Sequence, residues 1–371
     1  MKKTKGISIV LMITICVGLL AGCGGSKDSA GNGSVSEAPP ANAAGGTSDN
    51  AQPAAGDSEY NGPKVVIKVG LGAASTGHSG IALTNFKNGV EARCGGNVEV
   101  QAYADSQLGS EREVSEGVSI GTVEMSTIGM GTFATFYEKL QFVNTPFLLS
   151  SREQSYKFYD GEFMNGLNEE VKQSIGIRIL GYGENGTRGL SNNVREIKSP
   201  ADMAGLKIRV QENPLHIGMI NELGASATPI AFAELYTSLS QKTVDGQDNG
   251  IPLTVNNRFY EVQPYYTTLA HCIDQLAFIA NDDWFNSLDP VLQKIIQEEV
   301  DNWKTDIRQL AADYDISGIE TMEAAGVTVT ELTDEERQAF TNKMEPVYET
   351  ARGLVGEEFF NSVLEAVEKA Q

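Results

Sequence analysis

Between Asp289 and about Gly326 the chain places apolar residues at Leu292, Ile295, Ile296, Val300, Trp303, Ile307, Leu310 and Tyr314, one, three or four positions apart. That spacing puts them on one stripe of an α-helix. No glycine or proline interrupts the run between Pro290 and Gly318. Globular helices usually span about 8–20 residues, so a helix this long needs more than one core to lie on. It predicts a strut that crosses two lobes and ties them together.

The chain is long enough for two. MKKTKGISIVLMITICVGLLAGC opens on Lys2, Lys3 and Lys5, continues through an apolar run from Ile7 to Leu20 and ends in Leu20-Ala21-Gly22 before Cys23. This is the layout of a secretory signal, too short and too quickly followed by polar sequence to be a spanning helix. Residues 24–62 are rich in Gly, Ser, Ala, Pro and Asn with almost no large apolar side chain, so they predict a flexible tether. Setting aside residues 1–62 leaves 309 of the 371 residues to fold, more than one hydrophobic core usually organises.

Charge and cysteine usage narrow the function. The formal charge of −21 becomes −24 once the three lysines of residues 1–22 leave, since no acid leaves with them. Such a surface argues against nucleic acid or an anionic membrane surface as partner. Cys16 departs with the signal, which leaves Cys94 and Cys272 as candidates for one disulfide if they meet. There is no C-x-x-C, no H-E-x-x-H and no Cys/His cluster, and no metal site or cofactor is expected.

The body reads as alternating strands and helices. KVVIKVGL (64–71), NVEVQAY (97–103), TVEMSTIG (122–129), IGIRILGYG (175–183), LKIRV (206–210), SATPIAF (226–232) and VTVTEL (327–332) are strands by composition. Helical patterns fall at 81–93, 110–121 and after Asn213-Pro214, with Asn213 as N-cap, and ADMAG after Ser199-Pro200 reads as a short helix. TDEE (333–336) is a capping box. The alternation predicts an α/β fold with a largely parallel sheet.

Two catalytic patterns are present and both lack context. G117-V118-S119-I120-G121 fits a serine-hydrolase elbow in letters, but a Glu-rich helix precedes Ser119 and a strand follows, the reverse of what the elbow needs. G70-L71-G72 follows a strand without the third glycine of a dinucleotide turn. His78 stands at the mouth of that turn, where it can touch a ligand, whereas His216 in the first turn of its helix reads as structural.

The remaining polar residues of interest stand at strand ends, where open α/β sheets bind ligands. They are Glu111, Arg188 in GENGTRGLSN, Arg209 inside the apolar strand LKIRV, and Asn249 in VDGQDNG, with Phe232 nearby in IAFAELY. A buried arginine needs a partner for its five donors. For Arg209 the local candidate is Glu212; the other is a ligand carboxylate, which two arginines together would suit.

Several stretches carry a family resemblance: QLGSERE, GTVEM, NGTRGLSN, SPADMAGLKIRVQENPLHIGMINELGASATPIAFAELYTSL, VDGQDN and RFYEVQPY. They resemble the extracytoplasmic solute-binding subunit of tripartite ATP-independent periplasmic (TRAP) transporters, of the dicarboxylate-binding type, from about residue 64 to the C-terminus. The resemblance implies a two-lobed periplasmic-binding-protein-like fold with the ligand cleft between lobes, joined by crossing strands and the long helix. The expected division is residues 63–185 with about 275–314 in lobe I, and 186–274 with about 315–371 in lobe II. By position, Arg209 matches the arginine that binds the substrate carboxylate, Arg188 a second site arginine, Asn249 the site asparagine and Phe232 a pocket wall. Glu111 and Glu212 fall where the family lines its pocket variably. The ending L-A-G-C resembles a lipobox, which implies cleavage before Cys23 and diacylation of its sulfur, with palmitate as part of the membrane anchor. One departure stands out: the family's G-Q-E-N-P is Gly246-Gln247-Asp248-Asn249-Gly250 here, and loss of the proline is expected to loosen the turn presenting Asn249.

The expectation is therefore a monomeric, lipid-anchored, extracytoplasmic receptor that is no enzyme. It captures a small organic acid, a sugar acid or a C4-dicarboxylate, and delivers it to TRAP permease subunits in the membrane. The alternatives are an exported hydrolase using Ser119, and a sensor of the same fold that presents its ligand to a signalling partner.

Overall fold

A computed structural model describes residues 58–371 of the chain. The leader, Cys23 and the tether up to residue 57 lie outside the described residues. The last tether positions belong to the fold. Tyr60 is buried in the first core and Glu59 pairs with Arg93 at 2.8 Å, so ordered packing begins by residue 58 rather than 63.

Ten strands form the sheet: β1 (Val65–Leu71), β2 (Val98–Tyr103), β3 (Met125–Gly129), β4 (Ile177–Asn192), β5 (Lys207–Val210), β6 (Ser226–Pro229), β7 (Gly246–Gly250), β8 (Tyr265–Thr267), β9 (Ile273–Asn281) and β10 (Thr328–Thr330). Their order is β2-β1-β3-β9-β4-β7-β5-β6, with β8 on β4 and β10 on β8. The outer pairs β1/β2, β1/β3, β5/β6 and β5/β7 are parallel. Every antiparallel pair involves β4 or β9. The sheet is mixed, where a largely parallel one was expected, because the two long central strands run against their neighbours.

β4 is the element that reaches furthest. The expected strand ended near Gly183; the observed one runs 16 residues to Asn192. It pairs with β9 from Ile177 to Thr187 and with β7 from Arg188 onward. A register shift between Glu184 and Gly186, with Gly186 at φ 107°, carries it through the change of partner. Positive φ there favours glycine.

The long helix is Pro290–Ala324, 35 residues, and Asp289 caps it by accepting from Val291 N. Its stripe of Leu292, Ile295, Ile296, Val300, Trp303 and Ile307 is fully buried against the β1 side of the molecule. The Trp303 ring meets Phe278 of β9 edge-on at 4.9 Å. Further along, Gly318 packs without a side chain against Ile251 of the helix Ile251–Asn256, which follows β7. The strut thus spans from one strand group to the other. ADMAG forms a 3-10 turn, Pro200–Met203, too short to close α-helical bonds. The capping boxes at Ser110/Glu113 and Thr333/Glu336 are formed. Among the described residues no helix is long and apolar enough to cross a membrane.

Candidate functional site

A narrow chamber with about 20 Å³ of free volume lies where β1, β3, β4, β5, β7 and β9 come together. Glu111, Thr127, Asn185, Gln211, Phe232 and Asn249 supply its polar and aromatic wall, and Leu71, Leu253 and Leu276 its apolar wall. It shares Gly72 and Phe232 with a wider outer hollow lined by Asp105, Ser106, Tyr236 and Asn256. Three of the expected site residues, Glu111, Phe232 and Asn249, therefore meet here.

Glu111 is the first residue of the helix Glu111–Ser119. Its Oε1 accepts from Gly129 N at 3.0 Å and its Oε2 from Thr132 Oγ1 at 2.9 Å. Burial pushes its pKa up, against the pull of those hydrogen bonds. Phe232 packs edge-on against Phe259. Asn249 Nδ2 donates to Gln247 Oε1 at 2.5 Å, and Gln247 Nε2 to Ser191 Oγ at 2.8 Å. Gly250 sits at φ −67°, ψ 161°, backbone that proline would also adopt, and Pro252 starts the next helix. Asn249 itself lies within β7, and Gly250 follows it as the N-cap of the next helix.

Arg209 is 1% exposed within β5, two positions before the chamber residue Gln211, and is not itself part of the chamber wall. Its Nε donates to Ile230 O at 2.8 Å, while Nη1 has no protein partner. Burial lowers its pKa to about 10, with Asp248 and Glu111 drawing it back up. It stays a cation at neutral pH.

Arg188 is placed differently from expectation. It lies within β4, not at a strand end, and is absent from the chamber wall. Its Nε donates to Asp248 Oδ2 at 3.1 Å, its Nη1 to Asp274 Oδ2 at 2.8 Å and its Nη2 to Asp248 O. All three residues are buried. Burial opposes the charge on Arg188, but the two aspartates outweigh it and raise its pKa. Asp248 also accepts from His271 Nε2 at 3.3 Å; burial alone would raise its pKa, yet Arg188 and His271 hold it well below the usual carboxylate range. His216 is neutral, pushed down to about 3 by burial.

Two further expectations are corrected. Glu212 is exposed, outside the chamber, and pairs with no arginine among the described residues. Side chains alternate along extended backbone, so Ile208 and Val210 enter the core while Arg209 and Gln211 share the other face. The chamber residue on this segment is Gln211, two positions after Arg209, and that period was the signal for it. His78 is fully buried but off the chamber wall; its Nδ1 lies 3.5 Å from Asn256 Nδ2 and its ring 6.1 Å from Tyr314. It joins the first helix to the Ile251–Asn256 helix and the strut. Asn185 and Thr127 were missed because their burial depends on strand pairing, not on local pattern.

Cys94 and Cys272 are free thiols. Burial raises them, to about 11 and about 12. Ser119 ends its helix and donates to Ile175 O at 2.7 Å, with no strand before it, so the elbow geometry of a serine nucleophile is not built there.

Known proteins resemble this chain in sequence and in fold. Residues 70–353 match the family described as bacterial extracellular solute-binding protein, family 7. The 2,3-diketo-L-gulonate-binding periplasmic protein of Escherichia coli is 30% identical over 284 residues, 75% of this chain and 84% of that protein. The crystal structure of a sugar acid binding protein from Advenella mimigardefordensis with galactonate superposes with a TM-score of 0.80 at 28% identity, covering 83% of this chain and 99% of the other. A TRAP periplasmic solute-binding protein from Shewanella oneidensis with bound succinate gives 0.78 at 27% identity, covering 83% and 99%.

Proposed function

The chain belongs to the bacterial extracellular solute-binding proteins, family 7, and we propose that it captures a polyhydroxylated monocarboxylate, a sugar acid, for a TRAP permease. One observation carries the reading. Arg188 is occupied by Asp248 and Asp274, while Arg209 Nη1 is left as an unpartnered buried cationic donor within the electrostatic reach of the chamber residue Glu111. One free guanidinium suits one carboxylate, held by charge-assisted hydrogen bonds.

The rest of the wall asks for donors. Asn185 Oδ1 and Gln211 Oε1 are buried acceptors with no protein partner, and Asn185 is fixed in that orientation because its Nδ2 donates to Asp274 at 3.0 Å. Glu111 adds two carboxylate oxygens to the same wall. Buried acceptors cost free energy until a donor reaches them. Ligand hydroxyls supply such donors; a second ligand carboxylate brings like charge instead. Asn249 and Phe232 are assigned to orient and cover the ligand. The relative with galactonate and the one with succinate bracket the two chemistries.

The proposal extends to the mode of use. The lobe division (residues 63–185 with about 275–314, and 186–274 with about 315–371) lets the halves close on the ligand and open for release. Anchoring through acylated Cys23 keeps the receptor at the membrane that houses the permease. The reading involves binding and release alone, in keeping with relatives that are solute-binding proteins. The test is competition in one titration of the purified protein. D-Galactonate or D-glucuronate is expected to bind more tightly than succinate; the opposite order overturns the sugar-acid reading.

A further inference from the structure

At the end of β3 the chain passes through Gly129-Met130-Gly131, between a side chain from the helix Glu111–Ser119 and one from the segment after β5. On one side stands Glu111, whose Oε1 accepts from Gly129 N. On the other stands Gln211, from the segment after β5. A Cβ added at Gly129 would lie 3.1 Å from Glu111 Oε1 and 3.5 Å from Gln211 Nε2. One added at Gly131 would overlap Gln211 Oε1 outright. Asn213 Nδ2 donates across the same gap to Gly131 O at 3.2 Å. The two glycines thus leave room for the Gln211 amide to press against the backbone of the β3 side.

The amide gains little there from the protein. Its Oε1 is buried and unpartnered against Gly131, on a side chain that helps line the chamber. An unmatched acceptor in a tight interface is costly unless something fills it.

Resting on the sugar-acid reading, we infer that Gln211 is the specificity-determining residue of the site: its carbonyl accepts a ligand hydroxyl, and it can sit there only because Gly131 has no side chain. The hydroxyl satisfies the amide at the place where the β3 and β5 sides meet. A ligand without that hydroxyl leaves Gln211 Oε1 unpaired in the closed protein, so discrimination arises from a penalty on the wrong ligand as much as from attraction to the right one.

The experiment uses the full chain, with D-galactonate, D-glucuronate and succinate as probes in calorimetric titration. Gln211→Met keeps size and removes the acceptor. It is expected to weaken the tighter of the two sugar acids about tenfold or more while changing succinate by less than about twofold, with the melting temperature preserved. Gly131→Ala is expected to weaken sugar-acid binding by placing a methyl group where the amide lies. Adding Gln211→Ala to Gly131→Ala is expected to relieve the overlap and recover the melting temperature without recovering sugar-acid binding, whereas a merely structural role for Gly131 predicts recovery of both. Equal losses for sugar acid and succinate in Gln211→Met, no loss at all, or full recovery of sugar-acid binding in the double variant overturns the inference. If the wild-type protein binds neither sugar acid, the functional reading fails first, and this inference falls with it.

Discussion

Arg188 Nη1 lies 2.8 Å from Asp274 Oδ2, and both groups are buried. Asp248 holds the other edge of the same guanidinium at 3.1 Å. A cation that a ligand might have claimed is therefore matched by the protein. Matching it has a cost: three charges are taken out of water, and the arrangement is favourable only while all partners stay.

Asp274→Asn removes one partner and keeps the shape. Stability measured by urea unfolding at neutral pH is expected to fall by about 3 kcal/mol, because part of the Arg188 charge is left buried and uncompensated. The freed charge is also expected to shift preference toward dianions. Succinate affinity should rise relative to D-galactonate, and an unchanged ratio would show that Arg188 is too far from the ligand to matter.

Arg209 should behave in the opposite way. Arg209→Ala is expected to weaken sugar-acid binding by about 2–5 kcal/mol, and Arg209→Lys nearly as much, since an ammonium cannot both donate to Ile230 O and present a planar edge to a carboxylate. Calorimetry that found the lysine variant equal to wild type would remove the bidentate role.

These two arginines show what was legible in the chain and what was not. Asn213, the Thr333/Glu336 box and the Pro290–Ala324 strut were readable because their interactions are made within a few residues along the sequence. Arg209 was readable as anomalous because it interrupts an apolar strand. The fate of Arg188 was not readable. Its partners are 60 and 86 residues away and reach it only through pairing of β4 with β7 and β9. The alternation set by Ile208 and Val210 places Gln211, not Glu212, on the face of Arg209, so that position was legible in the strand itself. The mixed sheet was hidden for a related reason: strand composition reports burial, and it does not report direction.

Acid should destabilise the fold partly through His78. Burial lowers its pKa to about 4, and its close ring partners, Asn256 and Tyr314, offer no compensating charge. A histidine whose folded pKa lies below its unfolded value of about 6.5 binds more protons when unfolded, so stability rises with pH in that window. Its contribution is complete above about pH 6.5 and is lost as pH falls toward 4, to a total of about 3 kcal/mol. Glu111, with its pKa raised by burial, works in the other direction near its own titration. Urea unfolding at pH 7 and pH 4.5 should show a smaller pH effect in His78→Gln than in the wild type. An identical pH effect in both proteins would assign the acid sensitivity elsewhere, for instance to His216.

Gly250→Pro restores the residue that the family pattern carries at this position, and two physical effects oppose each other there. The backbone favours it: Gly250 has φ −67°, ψ 161°, and fixing φ lowers the entropy of the unfolded chain, a gain of about 0.4–1 kcal/mol. Packing opposes it. A Cβ at 250 would stand 3.0 Å from Gly186 C, 3.1 Å from Gly186 Cα and 3.3 Å from Thr187 O. These are backbone atoms of β4, at the place where it changes partner, and they cannot swing aside as a side-chain tip would. Overpacking of a rigid wall costs about 1–3 kcal/mol, so the packing effect should win. The variant is expected to melt below wild type and, by displacing Asn249, to bind its sugar acid more weakly. A second change on the same strand is ruled out as a remedy, since Gly186 itself has φ 107° and Pro252 already fills the space its Cβ would need. Melting at or above the wild-type temperature would mean that β4 yields at its bulge, and that the crossing is softer than its close contacts imply.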